Sequence, residues 1–506
     1  MIDLGASYRL SLERSPDATA LVDGVQRLSY AGWFEHIRRA ASGLDRLGLK
    51  KGERILMVMQ NNWEMGTLHW ACQFLGIIAT PLNWRVKSGE LDYCLGDSEA
   101  SAVIFQDVSA EAVAGSSHAQ KLERIGLGEA ENATLGWDEL LADDGFDGEP
   151  RAGVDDISVM LYTSGTTGQP KGVPRSHRAE RAAAIAQVAQ HRHLAGEVML
   201  GTMPFYHTMG VRSLLATQLL DGCLICQRQF DPKSTLDMIE AEKITSIFLV
   251  PTLFHDLLEQ RAFAETDISS VRHLGFAGAP MPDGLLLKIW EQMKPDRLIN
   301  HYGSSEIYTM TIEPNAADKP GSAGRAGLNQ RIRIVKLGSD DPGNQAPPGE
   351  EGQIIADPAS EEAFQGYWRR PDADEKAFKH GWYFTGDTGY KDEDGDLFVT
   401  GRVDDMMISG GENVSPVEIE SVLSLHPGVG EVAVVGLADE RWGQRITAFI
   451  VRAGDGDGDA LDQHCKSSDL ADFKRPREYI FVKQIPKSPV GKILRRMLVA
   501  GEYEAE

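Results

Sequence analysis

A chain of 506 residues, 42% of them hydrophobic, can bury large cores and should hold more than one domain, and its formal net charge of −24 argues against nucleic acid and against an anionic membrane surface as partners. Its apolar runs are too short and interrupted to span a bilayer, and Met1-Ile2-Asp3-Leu4 enters helix-like sequence without the layout of a signal peptide. Five scattered cysteines (Cys72, Cys94, Cys223, Cys226, Cys465) favour reduced thiols, so a cytoplasmic location without membrane insertion is expected.

Along the chain, strand-length apolar runs alternate with longer amphipathic stretches. Ile55 to Met59, Ala102 to Phe105, Val198 to Gly201, Ser246 to Val250 and His273 to Phe276 read as buried strands. Trp33 to Leu47 and Leu285 to Met293 have helical spacing. The alternation predicts an α/β fold with largely parallel sheets flanked by helices. Gly338 to Gly352, rich in Pro, Gly and Asp, reads as a loop into a β-rich subdomain. A polar turn at Gly401-Arg402-Val403-Asp404-Asp405 divides the chain into a large N-terminal domain, 1–402, and a small α+β C-terminal domain, 403–506.

The most informative segment is Tyr162-Thr163-Ser164-Gly165-Thr166-Thr167-Gly168-Gln169-Pro170-Lys171-Gly172-Val173. Glycines let backbone N–H groups approach a polyanion, and hydroxyls and a lysine add donors, so the loop reads as a triphosphate cradle. It is not the NTPase P-loop, because Gly172 rather than Ser or Thr follows Lys171. Further on come Met203-Pro204-Phe205-Tyr206-His207, Tyr302-Gly303-Ser304-Ser305-Glu306 and Trp382-Tyr383-Phe384-Thr385-Gly386-Asp387. Ser409-Gly410-Gly411-Glu412-Asn413 and Pro486-Lys487-Ser488-Pro489-Val490-Gly491-Lys492-Ile493-Leu494 complete the series.

In wording and order these motifs resemble the adenylate-forming superfamily of acyl-CoA synthetases, luciferases and peptide-synthetase adenylation domains. Gly436-Leu437-Ala438-Asp439, Arg441-Trp442-Gly443-Gln444 and Ala471-Asp472-Phe473-Lys474-Arg475-Pro476 are most similar to aryl-acid CoA ligases of the chlorobenzoate type. The resemblance implies an enzyme that joins a small-molecule carboxylic acid to CoA with ATP and Mg2+ as substrates and no bound prosthetic group. It implies that Thr163, Ser164, Gly165, Thr166, Thr167, Gly168 and Lys171 hold the phosphates. Tyr302, Gly303, Ser304 and Ser305 would contact adenosine and phosphate, and Glu306 with Thr163 would hold magnesium. Asp387, accompanied by Arg402, would accept from the ribose hydroxyls, a task that suits a carboxylate because it offers several acceptor sites to two donors. Lys492 would bridge carboxylate and α-phosphate, offsetting their repulsion.

For the thiol step the resemblance implies Arg85, Gly410, Gly411, Trp442, Phe473, Arg475 and Arg477 at CoA, with Asp404 the hinge of a mobile C-terminal domain. It places His207, Phe248, Ala279, His301, Gly303, Tyr308 and Thr309 around the acid, with His207 beside the carboxylate. A capping, structural His207 is the alternative. Because His301, Tyr308 and Thr309 are polar and buried polar groups want partners, a small aromatic or heteroaromatic acid such as a substituted benzoate or furoate is expected. A stand-alone adenylation enzyme serving a carrier protein and a medium-chain acyl-CoA synthetase stay open, as does a homodimer. ATP, CoA and the acid are all anions. The basic run Lys474, Arg475, Arg477, Lys483, Lys487, Lys492, Arg495 and Arg496 is expected to attract them locally.

Overall fold

The structure, a computed structural model, describes residues 2–163, 169–403, 405–409, 412–454, 456–468, 470–487 and 493–506. Of the expected site, Ser164, Gly165, Thr166, Thr167, Gly168, Asp404, Gly410, Gly411 and Lys492 therefore lie outside the described residues.

Two large sheets organise the first three hundred or so residues. In the nine-stranded sheet, Arg297–Tyr302, His273–Phe276, Ser246–Leu249, Val198–Gly201, Cys223–Cys226 and Thr19–Asp23 run parallel in that order. Antiparallel strands close both edges. The seven-stranded sheet centres on Arg54–Val58, Ile78–Leu82 and Ala102–Phe105 and ends in the hairpin Ile157–Thr163 and Lys171–Ser176. Strands such as Ala102–Phe105 and Ser246–Leu249 are buried at every position, as expected where helices cover both faces of a parallel sheet. Helices are stopped by local chemistry: Asn62 caps Trp63–Leu75 by accepting from the Met65 N–H, and Gly76, left-handed at φ +69°, ends it.

A third sheet, antiparallel, joins Ile332–Lys336, Gly352–Ala356, Trp382–Lys391, Phe378–Lys379 and Leu397–Arg402. The fourth is drawn wholly from residues beyond 406 and has its own core around Val414, Ile419, Leu423, Val434, Ile446 and Ile450. The expected polar turn begins later than the sequence indicated. Gly401 and Arg402 are strand residues, paired with Thr388 and Asp387, and the turn starts at Val403. Helix Pro416–Ser424 of the C-terminal part packs against helix Asp283–Met293, so closely that a Cβ on Gly284 would lie 2.8 Å from the Ser424 carbonyl oxygen. Among the described residues no helix is long and apolar enough to cross a membrane.

Candidate active site

The pairing of Trp382–Lys391 with Leu397–Arg402 sets Asp387 opposite Arg402. Arg402 Nη1 donates to Asp387 Oδ1 at 2.9 Å, and the Tyr302 hydroxyl, from the end of strand Arg297–Tyr302, donates to Oδ2 at 2.6 Å. Each carboxylate oxygen is thus oriented by a donor of its own. Gly386 makes this possible. Its φ is +78°, and a Cβ there would stand 2.6 Å from Arg402 Nη2. Just beyond Tyr302 the chain turns tightly, with the Ser304 N–H donating to the Ile307 carbonyl at 2.9 Å. Gly303 allows the close approach, since a Cβ would lie 2.0 Å from the Tyr308 carbonyl oxygen.

That turn aims Glu306 inward, where the Tyr367 hydroxyl donates to its Oε1 at 2.8 Å. Burial and the adjacent Glu306 raise the Tyr367 pKa far above its ordinary value, so the hydroxyl remains a donor. Lys171 Nζ lies 4.2 Å from the centre of the Tyr367 ring, a cation–π contact. Thr163 pairs directly with Lys171 across the hairpin, so the two flank residues 164–168.

His207 is the N-cap of helix Thr208–Leu219, and its Nδ1 accepts from the Met209 N–H at 3.3 Å. With Nδ1 an acceptor, the neutral ring carries its proton on Nε2. Phe248, His301, Tyr308 and Thr309 come together, all buried, around a residue the sequence reading missed: Arg212. Its Nε donates to Gln187 Oε1 at 2.6 Å. Nη1 and Nη2 lie 2.7 and 3.0 Å from Nε2 and Nδ1 of His301, and Nη1 is 3.4 Å from both the Tyr308 carbonyl and Thr309 Oγ1. Phe248 lies against His301, with ring centres 5.9 Å apart, and His191 Nε2 approaches His301 Nδ1 at 3.4 Å. Burial, then Arg212 beside it, holds the His301 pKa well below the ordinary histidine value, so this imidazole is neutral. Burial pushes the Arg212 pKa down to about 10, which still leaves it charged at neutral pH. Behind this group, Arg175 and Glu180 form a fully buried ion pair, with Arg175 Cζ 3.5 Å from the centre of the Tyr308 ring. Ala279, half-buried, sits in the loop after strand His273–Phe276.

The residues expected at CoA fall into separate groups. Arg85 Cζ lies 3.8 Å from the Trp84 ring centre, and Arg85 also meets the Tyr206 hydroxyl. The guanidinium groups of Arg441 and Arg477 lie 4.9 and 5.2 Å from the Trp442 ring centre. Phe473 is 43% exposed, unusual for so large an apolar ring. Arg475, by contrast, is already held between Asp462 and Asp472.

The model of AMP-binding enzymes matches residues 9–368, and that of the AMP-binding enzyme C-terminal domain matches 418–492. The chain belongs to the AMP-binding enzyme family. A 4-chlorobenzoate–CoA ligase from Arthrobacter is 33% identical over 96% of this chain and 93% of its own length. The long-chain-fatty-acid–CoA ligase FadD13 of Mycobacterium tuberculosis is also 33% identical, over 98% of both chains. The solved anthranilate CoA ligase AuaEII, in complex with anthranoyl-AMP, superposes with a TM-score of 0.91 at 25% identity, covering 99% of this chain and 97% of that one.

In this AMP-binding enzyme, motifs far apart in sequence converge: Tyr302, Asp387 and Arg402 in one hydrogen-bonded set, Lys171 and Glu306 in another joined by Tyr367. Sequence reading missed Tyr367, Arg212, Gln187 and His191. Arg212 did carry a signal, as the one charged residue in the largely apolar stretch Met209 to Ala216. The basic run also differs from expectation, because Lys474, Arg475, Lys483, Lys487 and Arg495 meet Glu418, Asp462, Glu504, Glu431 and Glu420. It is a set of ion pairs more than a free cationic surface.

Proposed function

We propose that this member of the AMP-forming acyl- and aryl-CoA ligases activates a small aromatic or heteroaromatic carboxylic acid, of the substituted-benzoate or furoate type, and then transfers the acyl group to CoA. One observation carries the choice of acid. Phe248, His301, Tyr308 and Arg212 are each no more than 3% exposed, packed against one another where a long acyl chain would need space. The relatives' names leave the choice open, since a chlorobenzoate ligase and a long-chain-fatty-acid ligase are equally similar.

The division of labour proposed here takes its roles from the motif resemblance, and the contacts among Tyr302, Asp387, Arg402, Glu306 and Tyr367 support it. Asp387, oriented by Arg402 and Tyr302, takes the ribose hydroxyls, with the Tyr302 ring beside adenine. Lys171, Ser304, Ser305 and the 163–168 loop take the phosphates. Glu306, a hard oxygen donor oriented by Tyr367, fits Mg2+, which prefers one or two carboxylates beside phosphate oxygens, and Thr163 stands at the same phosphates. Magnesium would supply charge neutralisation on the phosphates. His207 presents Nε2–H to the acid carboxylate, and Lys492 bridges that carboxylate and the α-phosphate, where charge builds as oxygen attacks phosphorus and pyrophosphate leaves. For the thiol step the 403–506 domain turns about Asp404, and the thiol displaces AMP beside Gly410, Gly411 and Trp442, with Arg85, Phe473, Arg475 and Arg477 at the nucleotide of CoA. Arg475 would first have to exchange its two carboxylates for phosphate.

The test is incubation with Mg-ATP, CoA and a panel of benzoates, furoate, cinnamates and fatty acids, with products read by mass spectrometry. AMP and acyl-CoA from a small aromatic acid are expected. Octanoate preferred over every aromatic acid would overturn the assignment of the acid. Acyl-adenylate without acyl-CoA would make a carrier protein the acceptor.

A further inference from the structure

Arg212 poses a problem of charge and of donor count. A guanidinium has five N–H donors and no acceptor, and burying it is costly unless it is paired. Arg175 nearby has its carboxylate, Glu180. Among the described residues Arg212 has no ion-pair partner, and its hydrogen-bond partners are neutral: Gln187, His301, Tyr308 and Thr309. Glu362 acts on it only from beyond ion-pair distance, and burial raises the pKa of that carboxyl.

The surrounding groups deepen the imbalance. His301 faces Arg212 with both ring nitrogens. One of them must carry the proton of the neutral ring, so only one can accept from Arg212. The Nη1 contacts to Tyr308 and Thr309 are long, at 3.4 Å. Gln187, fully buried, spends its carbonyl on Arg212 and leaves its amide nitrogen without a hydrogen-bond partner. Around Arg212 the described residues leave one buried donor, Gln187 Nε2, and one buried acceptor, Glu362 Oε2, without partners, and Arg212 itself has no carboxylate within ion-pair distance. Native interiors seldom bury a guanidinium without a close anion or a well-placed acceptor, and a ligand can bring one.

We infer that the acid this enzyme takes carries, besides the carboxylate it activates, a second hydrogen-bond acceptor that docks on Arg212, with the unpartnered Gln187 amide as flanking donor. The inference rests on the reading of Phe248, His301, Tyr308 and Thr309 as the acid pocket and narrows it to one chemical class. A ring heteroatom with an available lone pair, or a substituent oxygen, satisfies Arg212. A halogen or methyl group leaves it bare. Arg212 is thus a specificity-determining residue, and sites built to hydrogen-bond a substrate discriminate strongly against analogues lacking the group.

Matched acids test this. Pyridine-carboxylates differ from benzoate by one CH-to-N exchange, furan-2-carboxylate differs from pyrrole-2-carboxylate by acceptor against donor, and 4-carboxybenzoate differs from 4-methylbenzoate by an anionic acceptor. In the wild-type enzyme at least one acceptor-bearing acid should exceed its isostere about tenfold or more in kcat/KM. A neutral winner assigns an uncharged acceptor, and a preference confined to 4-carboxybenzoate assigns an anion. In Arg212→Met the winning ratio should collapse to within about twofold while the KM for ATP stays unchanged, and Arg212→Lys should restore part of it. Equal kcat/KM within every pair of the wild type overturns the inference even if no variant folds. A ratio that survives in Arg212→Met, with all acids slowed alike, overturns it too by making the arginine merely structural. If no acid yields AMP, the ligase reading falls and the inference falls with it.

Discussion

Tyr367→Phe removes one hydroxyl from the site, and with it the contact that hydroxyl makes to the buried Tyr383. That hydroxyl donates to Glu306 Oε1 at 2.8 Å. Hydrogen bonds to charged groups contribute about 1.5–3 kcal/mol, or roughly 10- to 150-fold in a rate ratio. The phenylalanine ring keeps its edge contact with Phe364, centres 4.9 Å apart, and its place under Lys171 Nζ, 4.2 Å from the ring centre. The melting temperature should therefore move by only a few degrees or less, on the order of what about 1 kcal/mol shifts in a protein of this size. Glu306, no longer held, should bind the metal-bridged phosphates poorly. Pyrophosphate release measured against Mg-ATP at saturating acid should show kcat/KM reduced about 10- to 100-fold. The KM for the acid, measured at saturating Mg-ATP, should stay close to wild type. A kcat/KM for Mg-ATP within about twofold of wild type would refute the assignment of Tyr367 as the group that positions Glu306. Equal loss toward ATP and acid would count against it as well, by pointing to general distortion.

Gly386→Ala should act through Arg402, because the new methyl would stand 2.6 Å from Nη2 at a φ of +78°. The expected result is an ATP KM raised about tenfold or more, consistent with losing about 1.5 kcal/mol of charged hydrogen bonding at Asp387, and titration with AMP would measure it. Glu64 gives a pH signature: burial pushes its pKa up to about 7 from an ordinary 4.5, and its Oε2 has no hydrogen-bond partner. The folded state then binds a proton that the unfolded state has lost, so this group lowers stability as pH rises from 4.5 to 7. Glu64→Gln should therefore match wild type near pH 4 and exceed it by about 3–3.5 kcal/mol near pH 8 in urea denaturation, since each tenfold change in proton affinity is worth about 1.4 kcal/mol. The same stability difference at both pH values would sink the assignment.

The parallel strands were legible because both faces of each are covered, leaving apolar runs such as Ala102 to Phe105 with no polar alternation. The turn at Gly401 to Asp405 was read two residues early, since glycine and arginine end an apolar run in sequence, and only pairing with Asp387 and Thr388 carries the strand Leu397–Arg402 onward. Legibility within the site has a similar limit. Tyr302, Glu306, Asp387 and Arg402 stand in recognisable wording. Tyr367 is 61 positions from Glu306 in a plain Gly-Tyr-Trp stretch, and only the fold makes them partners. Arg212 was legible as an anomaly but not as a site, because a buried charge acquires meaning from what surrounds it. Here that is Gln187, His301 and Thr309, brought from other elements.

The pairing of the basic run bears on how anionic substrates reach the enzyme. A chain of net charge −24 repels ATP and CoA at long range unless a local cationic field overcomes it. Lys474, Arg475, Lys483, Lys487 and Arg495 cannot supply that field while each faces a carboxylate. Paired charges act as dipoles, whose fields fade over a few ångströms. Attraction then has to be short-ranged, made by backbone N–H groups and by side chains such as Lys171, after diffusion has brought the nucleotide close. The salt dependence follows in sign. A free cationic surface would make kcat/KM for CoA fall steeply as ionic strength rises, because screening removes the steering. A net-negative surface with paired bases should instead give a flat or rising kcat/KM between roughly 20 and 200 mM salt, where the Debye length shrinks from about 20 Å to about 7 Å. A fall of about tenfold over that range would mean that the ion pairs open in solution and that the tail steers the nucleotide after all.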